Sequence, residues 1–184
     1  MALQDVLREI EKEAKTRFLP IIGPEKGEVL VKIIKKYKPE RILEVGTCVG
    51  YSAILMSRDL PKTGNIVTIE IDPEVARTAQ ENIIKARAHK KIEIVIGDAI
   101  DAIPTLEGPF DLLFLDAAKD KYLNYLKQAE SKLSPDAVVV ADNAGVFAWE
   151  MRNYLRYVRK SGRYKSTTYD LGFDALEVSK KLFT

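Results

Sequence analysis

From Arg41 onward, short apolar runs alternate with stretches of helical periodicity, and few folds accept that pattern. The runs are Arg41–Val45, Ile66–Ile69, Ile92–Val95, Leu112–Leu115 and Ala137–Val140. Each is close to continuously apolar, as a strand buried on both faces of a parallel sheet must be. Helices are predicted between and after them, near 51–59, 73–87, 99–106, 120–132 and 147–161. Such alternation argues for an α/β fold with a doubly wound, mostly parallel, Rossmann-like sheet and right-handed crossovers. The tail departs from it: residues 164–171 and 175–182 read as two strands joined by a tight turn at Gly172-Phe173, an antiparallel hairpin at the sheet edge.

Ahead of this core, Leu3, Val6, Leu7, Ile10 and Ala14 fall at helical spacing within residues 3–17. A loop with Pro20, Gly23 and Pro24 follows, then a second helix from about Glu25 to Tyr37 with Val29, Leu30, Ile33 and Ile34 on one face. No repeat or linker interrupts the 184 residues, so 1–184 reads as a single domain, with N-terminal helices in 1–38 and the Rossmann-like core in 39–184. The chain shows no apolar run of the roughly 20 residues a membrane-spanning helix needs, and its N-terminus lacks a signal-peptide core. One cysteine, Cys48, cannot form an internal disulfide, so the expected compartment is the reducing cytoplasm, with no membrane partner.

Scarcity narrows the chemistry. One His and one Cys cannot build the usual zinc sites, and His89 is the only candidate for a Ser-His or Cys-His pair. Within the basic stretch 85–91, His89 reads as a solvated residue near a helix end. Catalysis is therefore expected to run on carboxylates, lysines and bound cofactors. The net charge of +2 is too mild to imply nucleic acid by itself.

In a doubly wound sheet, ligands bind beyond the carboxyl ends of the strands. All five runs end in or beside an acidic residue: Glu44, Glu70, Asp98, Asp116 and Asp142. After Glu44 come Gly46 and Gly50, which allow a tight turn and close backbone approach, then a helix whose N-terminal amides face the ligand. Glu70 is suited to accept both hydroxyls of a ribose, and Asp98, followed by Ala99, the amino group of an adenine. Together they describe a site for an adenosine with no phosphate demand. Asp72 and Asp98 also suit helix capping. Asp116, Asp142 and Asn143 are hard oxygen donors of the kind Mg²⁺ prefers, and neighbouring strands would bring them to one rim. Lys119, three residues beyond Asp116, is close enough to act there as a base.

At these residues the sequence resembles the cation-dependent O-methyltransferases, the catechol and caffeoyl-CoA O-methyltransferase family. The matching pieces are Gly23-Pro-Glu-Lys-Gly27, the run from Glu44 to Ser52, Thr68-Ile-Glu-Ile-Asp-Pro73, Gly97-Asp98-Ala99, the run from Leu115 to Tyr122, and Ala141-Asp-Asn143. The resemblance implies the seven-stranded class I methyltransferase sheet and S-adenosylmethionine (SAM) as methyl donor. It implies a divalent cation as well, Mg²⁺ or another such as Mn²⁺ or Ca²⁺. Glu70 would bind the ribose, and Asp98 with Ala99 the adenine. Glu44, Gly46, Ser52 and the backbone around Ile22 would surround the methionine part. Asp116, Asp142 and Asn143 would ligate the metal, Asp116 also bordering the cofactor, and Lys119 would be the catalytic base.

The implied acceptor is a hydroxyl of a catechol-like or other small molecule with vicinal oxygens, and the family's usual homodimer is a further expectation. Departures bear on the acceptor. Plant members carry a longer segment before the Gly23 loop, Ala118 stands where catechol methyltransferases place a tryptophan, and Ala144-Gly-Val-Phe147 replaces a tryptophan-containing run.

Two rival readings arise. Arg152, Arg156, Arg159, Lys160, Arg163 and Lys165 cluster near Tyr154, Tyr157 and Tyr164, a patch that would suit a hydroxylated tRNA base as acceptor, and equally a CoA tail or a plain solvated helix face. A nicotinamide-binding domain is the other, but the turn lacks the full G-x-G-x-x-G fingerprint. Trp149 and Phe147 read as packing or lid residues, and Glu177 as a glutamate on an exposed strand face.

Overall fold

The computed structural model describes residues 2–182. Its seven strands are β1 (Arg41–Val45), β2 (Asn65–Glu70), β3 (Ile92–Ile96), β4 (Phe110–Leu115), β5 (Leu133–Ala141), β6 (Tyr164–Asp170) and β7 (Ala175–Lys181). They form one sheet in the order β3-β2-β1-β4-β5-β7-β6. Strands β1 to β5 pair in parallel, and the β6–β7 hairpin joins antiparallel against β5. The helices are α1 (Leu3–Thr16), α2 (Gly23–Tyr37), α3 (Tyr51–Asp59), α4 (Pro73–Lys85), α5 (Ala99–Thr105), α6 (Tyr122–Ala129) and α7 (Arg152–Lys160).

Strand residues divide by parity, because successive side chains leave opposite faces of a strand. Ile42, Ile66, Leu112, Phe114, Val138 and Val140 pack with Leu7 of α1, Leu30 and Ile34 of α2, Ile54 of α3 and Ile83 of α4. Leu43, Val45, Val67, Leu113, Leu115 and Val139 pack with Ile103 of α5, Leu126 of α6 and Val158 of α7. Both faces are thus covered, which explains why the strand sequences run apolar without alternation. The chain reverses its direction of travel between β1 and β4, and the crevice beyond their carboxyl ends is where such folds take ligands.

Backbone bonds one residue past each strand level that rim. Gly46 N donates to Ile69 O at 3.0 Å, Asp116 N to Val45 O at 2.9 Å, Asp142 N to Leu115 O at 2.9 Å and Gly97 N to Glu70 O at 2.8 Å. The strand-end acidic residues are therefore held at one height by the main chain.

Three predicted boundaries move. β5 starts at Leu133, four residues early, because Leu133 pairs with Phe110 and the register then shifts so that Val138 pairs with Leu112. The intervening segment contains Pro135, which has no N–H to give a ladder. The helix expected over 120–132 is a 3₁₀ turn at Lys119–Lys121, the helix α6, and a second 3₁₀ turn at Glu130–Lys132. The helix expected over 147–161 begins only at Arg152. Ahead of it the chain turns, since the amides of Gly145 and Val146 donate to the Asp174 side chain at 3.2 and 3.0 Å. The hairpin turn is as predicted: Leu171 N donates to Asp174 O at 2.9 Å, and Gly172 takes a φ of 85°.

Candidate functional site

The turn after β1 is wound by three left-handed residues, Gly46 (φ 100°), Cys48 (φ 48°) and Gly50 (φ 83°). At Gly46 a side chain has no room: a Cβ would stand 2.1 Å from the Asp116 carbonyl oxygen. That contact brings the ends of β1 and β4 together and ties the glycine turn to Asp116. The turn is latched from β2 as well, because Glu70 Oε2 accepts from Cys48 N at 2.8 Å and Oε1 from Asp72 N at 3.1 Å. Both oxygens of Glu70 are thus oriented by main-chain amides, and each retains a lone pair. A Thr47–Thr68 hydroxyl bond of 2.7 Å closes the same junction.

Glu44 lies fully buried beneath the turn, where one carboxylate oxygen accepts from the Ser52 hydroxyl. The other, Oε2, accepts no hydrogen bond. Burial pushes the Glu44 carboxyl up to about 7, against the Ser52 and Thr68 hydroxyls that favour its charge. A carboxyl whose folded value exceeds its usual one of 4.5 binds its proton more tightly in the folded chain. Its cost is therefore absent at low pH, grows as pH rises from about 4.5, and is complete above about 7. Glu44→Gln is expected to flatten that fall. Relative to the parent, it should gain roughly 2–3 kcal/mol between pH 5 and pH 8 in denaturant unfolding without SAM. Parallel pH profiles for the two proteins would rule out a buried, ionisable Glu44 as the cause.

Asp98 does cap α5, accepting from Ile100 N at 2.9 Å, with its second oxygen 3.4 Å from Lys121 Nζ. Ala99 is buried directly behind it, and Ile22 is buried at the entry to α2.

At the ends of β4 and β5 lies a second cluster. Lys119 Nζ donates to Asp116 Oδ1 at 2.9 Å and to the Tyr122 hydroxyl at 3.0 Å. Tyr122 is buried, and its hydroxyl reaches the Asp142 carbonyl at 3.4 Å. Burial, then the charges of Asp116 and Asp142, hold that phenol well above its ordinary value, so it stays protonated. Asp142 is buried too. Burial and the neighbouring charge of Asp116 push its carboxyl upward, against Lys26. Asn143 has a left-handed backbone (φ 63°) and gives its Nδ2 to Asp174 Oδ2 at 2.7 Å.

Sequence reasoning gave Lys26 and Asp174 no role, yet they complete this cluster. Lys26 Nζ donates to Asp142 Oδ2 at 2.8 Å and lies 2.6 Å from Oδ1, which accepts no hydrogen bond; it also donates to Asp174 Oδ2 at 2.9 Å. Burial opposes the Lys26 charge, but the Asp142 and Asp174 carboxylates outweigh it and raise its proton affinity. Burial likewise works against the Asp174 charge, and the Lys26, Val146 and Asn143 bonds overcome it, bringing Asp174 down to about 2. A signal was available for both. Lys26 is in helical phase with the buried Leu30, Ile33 and Ile34, and Asp174 in strand phase with the buried Leu176 and Val178.

One other expectation fails and a second is narrowed. Glu177 is wholly buried, gripped by Arg159 at 2.7 and 2.8 Å and by Thr168 at 2.6 Å, so it is not an exposed strand glutamate. Of the two roles expected for Trp149, packing is excluded: it is 75% exposed, with the Arg152 guanidinium 4.5 Å from its ring centre. The basic cluster also thins out. Arg159 is spent on Glu177, and Tyr154 and Tyr164 are buried where no base can stack on them. His89 is exposed, as expected. Among the described residues no helix is long and apolar enough to cross a membrane.

Among the described residues, no three His, Cys, Asp or Glu side chains converge as a metal cage. The candidate donor set is instead two carboxylates, Asp116 and Asp142, whose charges raise the proton affinity of the second, and the Asn143 amide. Hard oxygen donors with a mutual charge cost suit a divalent cation.

Known proteins resemble this chain in sequence and in fold. Residues 2–152 match the O-methyltransferase family. The chain is 40% identical over 126 residues to a catechol O-methyltransferase of Niastella koreensis, an alignment covering 66% of this chain and 57% of that protein. It is 34% identical over 164 residues to the catechol O-methyltransferase of Mus musculus, covering 85% and 61%. The chain thus spans somewhat over half the length of these curated relatives. Among solved structures, the O-methyltransferase TomG of Streptomyces achromogenes, involved in tomaymycin synthesis and in complex with SAM, superposes with a TM-score of 0.84 at 27% identity, covering 96% of this chain and 89% of that one. An O-methyltransferase from Bacillus cereus in complex with S-adenosylhomocysteine gives 0.84 at 25% identity, covering 97% and 90%. The fold agrees over nearly the whole chain, and with the family match across residues 2–152 the chain belongs to the O-methyltransferase family.

Proposed function

We propose that the protein is a SAM-dependent, divalent-cation-dependent O-methyltransferase acting on a small catechol-like acceptor with vicinal oxygens. The observation that carries this reading is the rim where Asp116, Lys119, Asp142 and Asn143 gather beside the Gly46 turn, with close backbone contacts linking the two halves. Relatives named as catechol O-methyltransferases and superposed structures holding SAM or its demethylated product support it.

The chain's own residues divide the work. Glu70, oriented by two amides, takes the ribose hydroxyls, and Asp98 with Ala99 borders the adenine. Glu44 Oε2, buried and accepting no hydrogen bond, is suited to a donor from the methionine part, with Ser52, Gly46 and the Ile22 backbone around it. Asp116, Asp142 and Asn143 would hold the cation, Mg²⁺ or another hard divalent ion. When bound, the cofactor and cation supply a sulfonium methyl as electrophile and a charge that favours the acceptor's oxyanion. Lys119 takes the acceptor's hydroxyl proton at Nζ. The buried walls of Tyr122 and the glycine turn hold the reacting groups in line and exclude water, and positioning of this kind supplies much of the rate.

A panel of labelled-methyl acceptors tests the substrate class. Catechols are expected to be methylated at least tenfold faster than matched monophenols, because only a vicinal pair offers two oxygens to one cation. Equal rates would contradict the vicinal-oxygen reading. Turnover only with hydroxylated tRNA would replace the small acceptor with the macromolecular one.

A further inference from the structure

Asp174 lies just past the hairpin turn, buried, and its two oxygens are committed to four donors from two separate segments, α2 and the stretch that follows β5. Oδ1 accepts from the amides of Gly145 and Val146 at 3.2 and 3.0 Å, and Oδ2 from Lys26 Nζ at 2.9 Å and Asn143 Nδ2 at 2.7 Å. An ionised carboxylate can only accept, so its bond to Asn143 decides which end of that amide faces it. The NH₂ end is taken up, and the amide oxygen is left as the free end. The arrangement is over-determined. Asn143 sits at a φ of 63°, and Gly145 approaches so closely that a Cβ there would stand 3.1 Å from Asp174 Oδ1. Lys26 bridges Asp174 to Asp142, so the same carboxylate helps fix the side chains of two candidate ligands.

We infer that Asp174 is the positioning residue of the cation site: it holds the Asn143 amide so that oxygen rather than nitrogen is offered as a ligand, and anchors Lys26 against Asp142. The inference rests on Asp116, Asp142 and Asn143 being the ligands, as proposed above. Outer partners that orient a ligand typically set metal affinity by about 10- to 100-fold.

Mn²⁺ is the probe, its free concentration followed by electron paramagnetic resonance in titrations of the parent, D174N, N143A and the double variant. An asparagine at 174 can still accept from Gly145 and Val146, but its NH₂ would oppose the NH₂ of Asn143 and turn that amide over. D174N is expected to weaken Mn²⁺ binding about 10- to 100-fold in the parent. In the N143A background the loss should be distinctly smaller, since only the route through Lys26 to Asp142 remains. Equal losses in both backgrounds would overturn the inference, because lost charge or a loosened fold acts whether or not the amide is present. If D174N melts below the assay temperature, D174E is used, which keeps the charge but moves the acceptor by a methylene; the same pattern is expected, and parent-like affinity would overturn the inference. Failure of the parent itself to bind Mn²⁺ would reject the ligand assignment and this inference together, a result distinct from parent binding that D174N leaves unchanged.

Discussion

Lys119→Ala is expected to lower kcat by about 10²- to 10⁴-fold while SAM affinity stays within a few-fold of the parent, the loss typical of a removed general base. The side chain is well placed for that role. Its amine sits between Asp116 and Tyr122 at 2.9 and 3.0 Å, on a 3₁₀ turn that leaves the end of β4. Tyr122 cannot replace it, because burial and two nearby carboxylates keep the phenol protonated. The charge-conserving Lys119→Arg separates base from counter-ion, since a guanidinium does not give up its proton in a protein. It should be as slow as the alanine variant. Stopped-flow or labelled-methyl turnover at saturating SAM reads the effect, and recovery of the parent rate in the arginine variant would show that Lys119 acts only through charge.

The second large effect is expected at a position with no side chain. Gly46→Ala would drive a Cβ to 2.1 Å from the Asp116 carbonyl oxygen and 2.7 Å from its carbon, both backbone atoms that cannot swing aside. The φ of 100° adds strain for any L-residue. Together these are expected to cost about 2–5 kcal/mol in urea unfolding and to push β1 and β4 apart at the rim. SAM affinity should fall more than tenfold. Gly50→Ala is the matched control: its φ is also positive, but the nearest atom to its Cβ, the Ala79 Cβ, is at 3.5 Å. It should cost only about 1–2 kcal/mol, the strain of the backbone alone. If both alanines destabilise equally, backbone conformation rather than the Asp116 contact is what Gly46 serves.

Much of this was legible in the sequence, and the reasons differ by element. The parallel strands announce themselves because helices cover both faces, leaving no polar side to break the apolar run. Helix α3 is predicted residue for residue, since the glycine turn fixes its start and Pro61 follows its end. The start of β5 was hidden because a bulge and Pro135 interrupt the pattern. The start of α7 was hidden because the preceding turn is organised by Asp174, about thirty residues further along the chain. The candidate ligands could be read because each ends a strand, and the strands' register levels their ends. Lys26 and Asp174 could be read only as facing the core, because what matters about them is a bond made across the fold. Lys26 and Asp142 are 116 positions apart, yet the ammonium is 2.8 Å from the carboxylate. Glu177 misled for the same reason: its partner Arg159 looked like part of a basic surface until the hairpin folded over α7.

Transfer of a labelled methyl group from SAM to catechol, run with Mg²⁺ and again after EDTA, tests the account most directly. The gathering of Asp116, Asp142 and Asn143 beside the Gly46 turn predicts turnover that EDTA abolishes and added Mg²⁺ restores. Turnover that persists undiminished in EDTA would contradict the cation-dependent reading, and a chain that fails to bind SAM at all would contradict the methyltransferase reading with it.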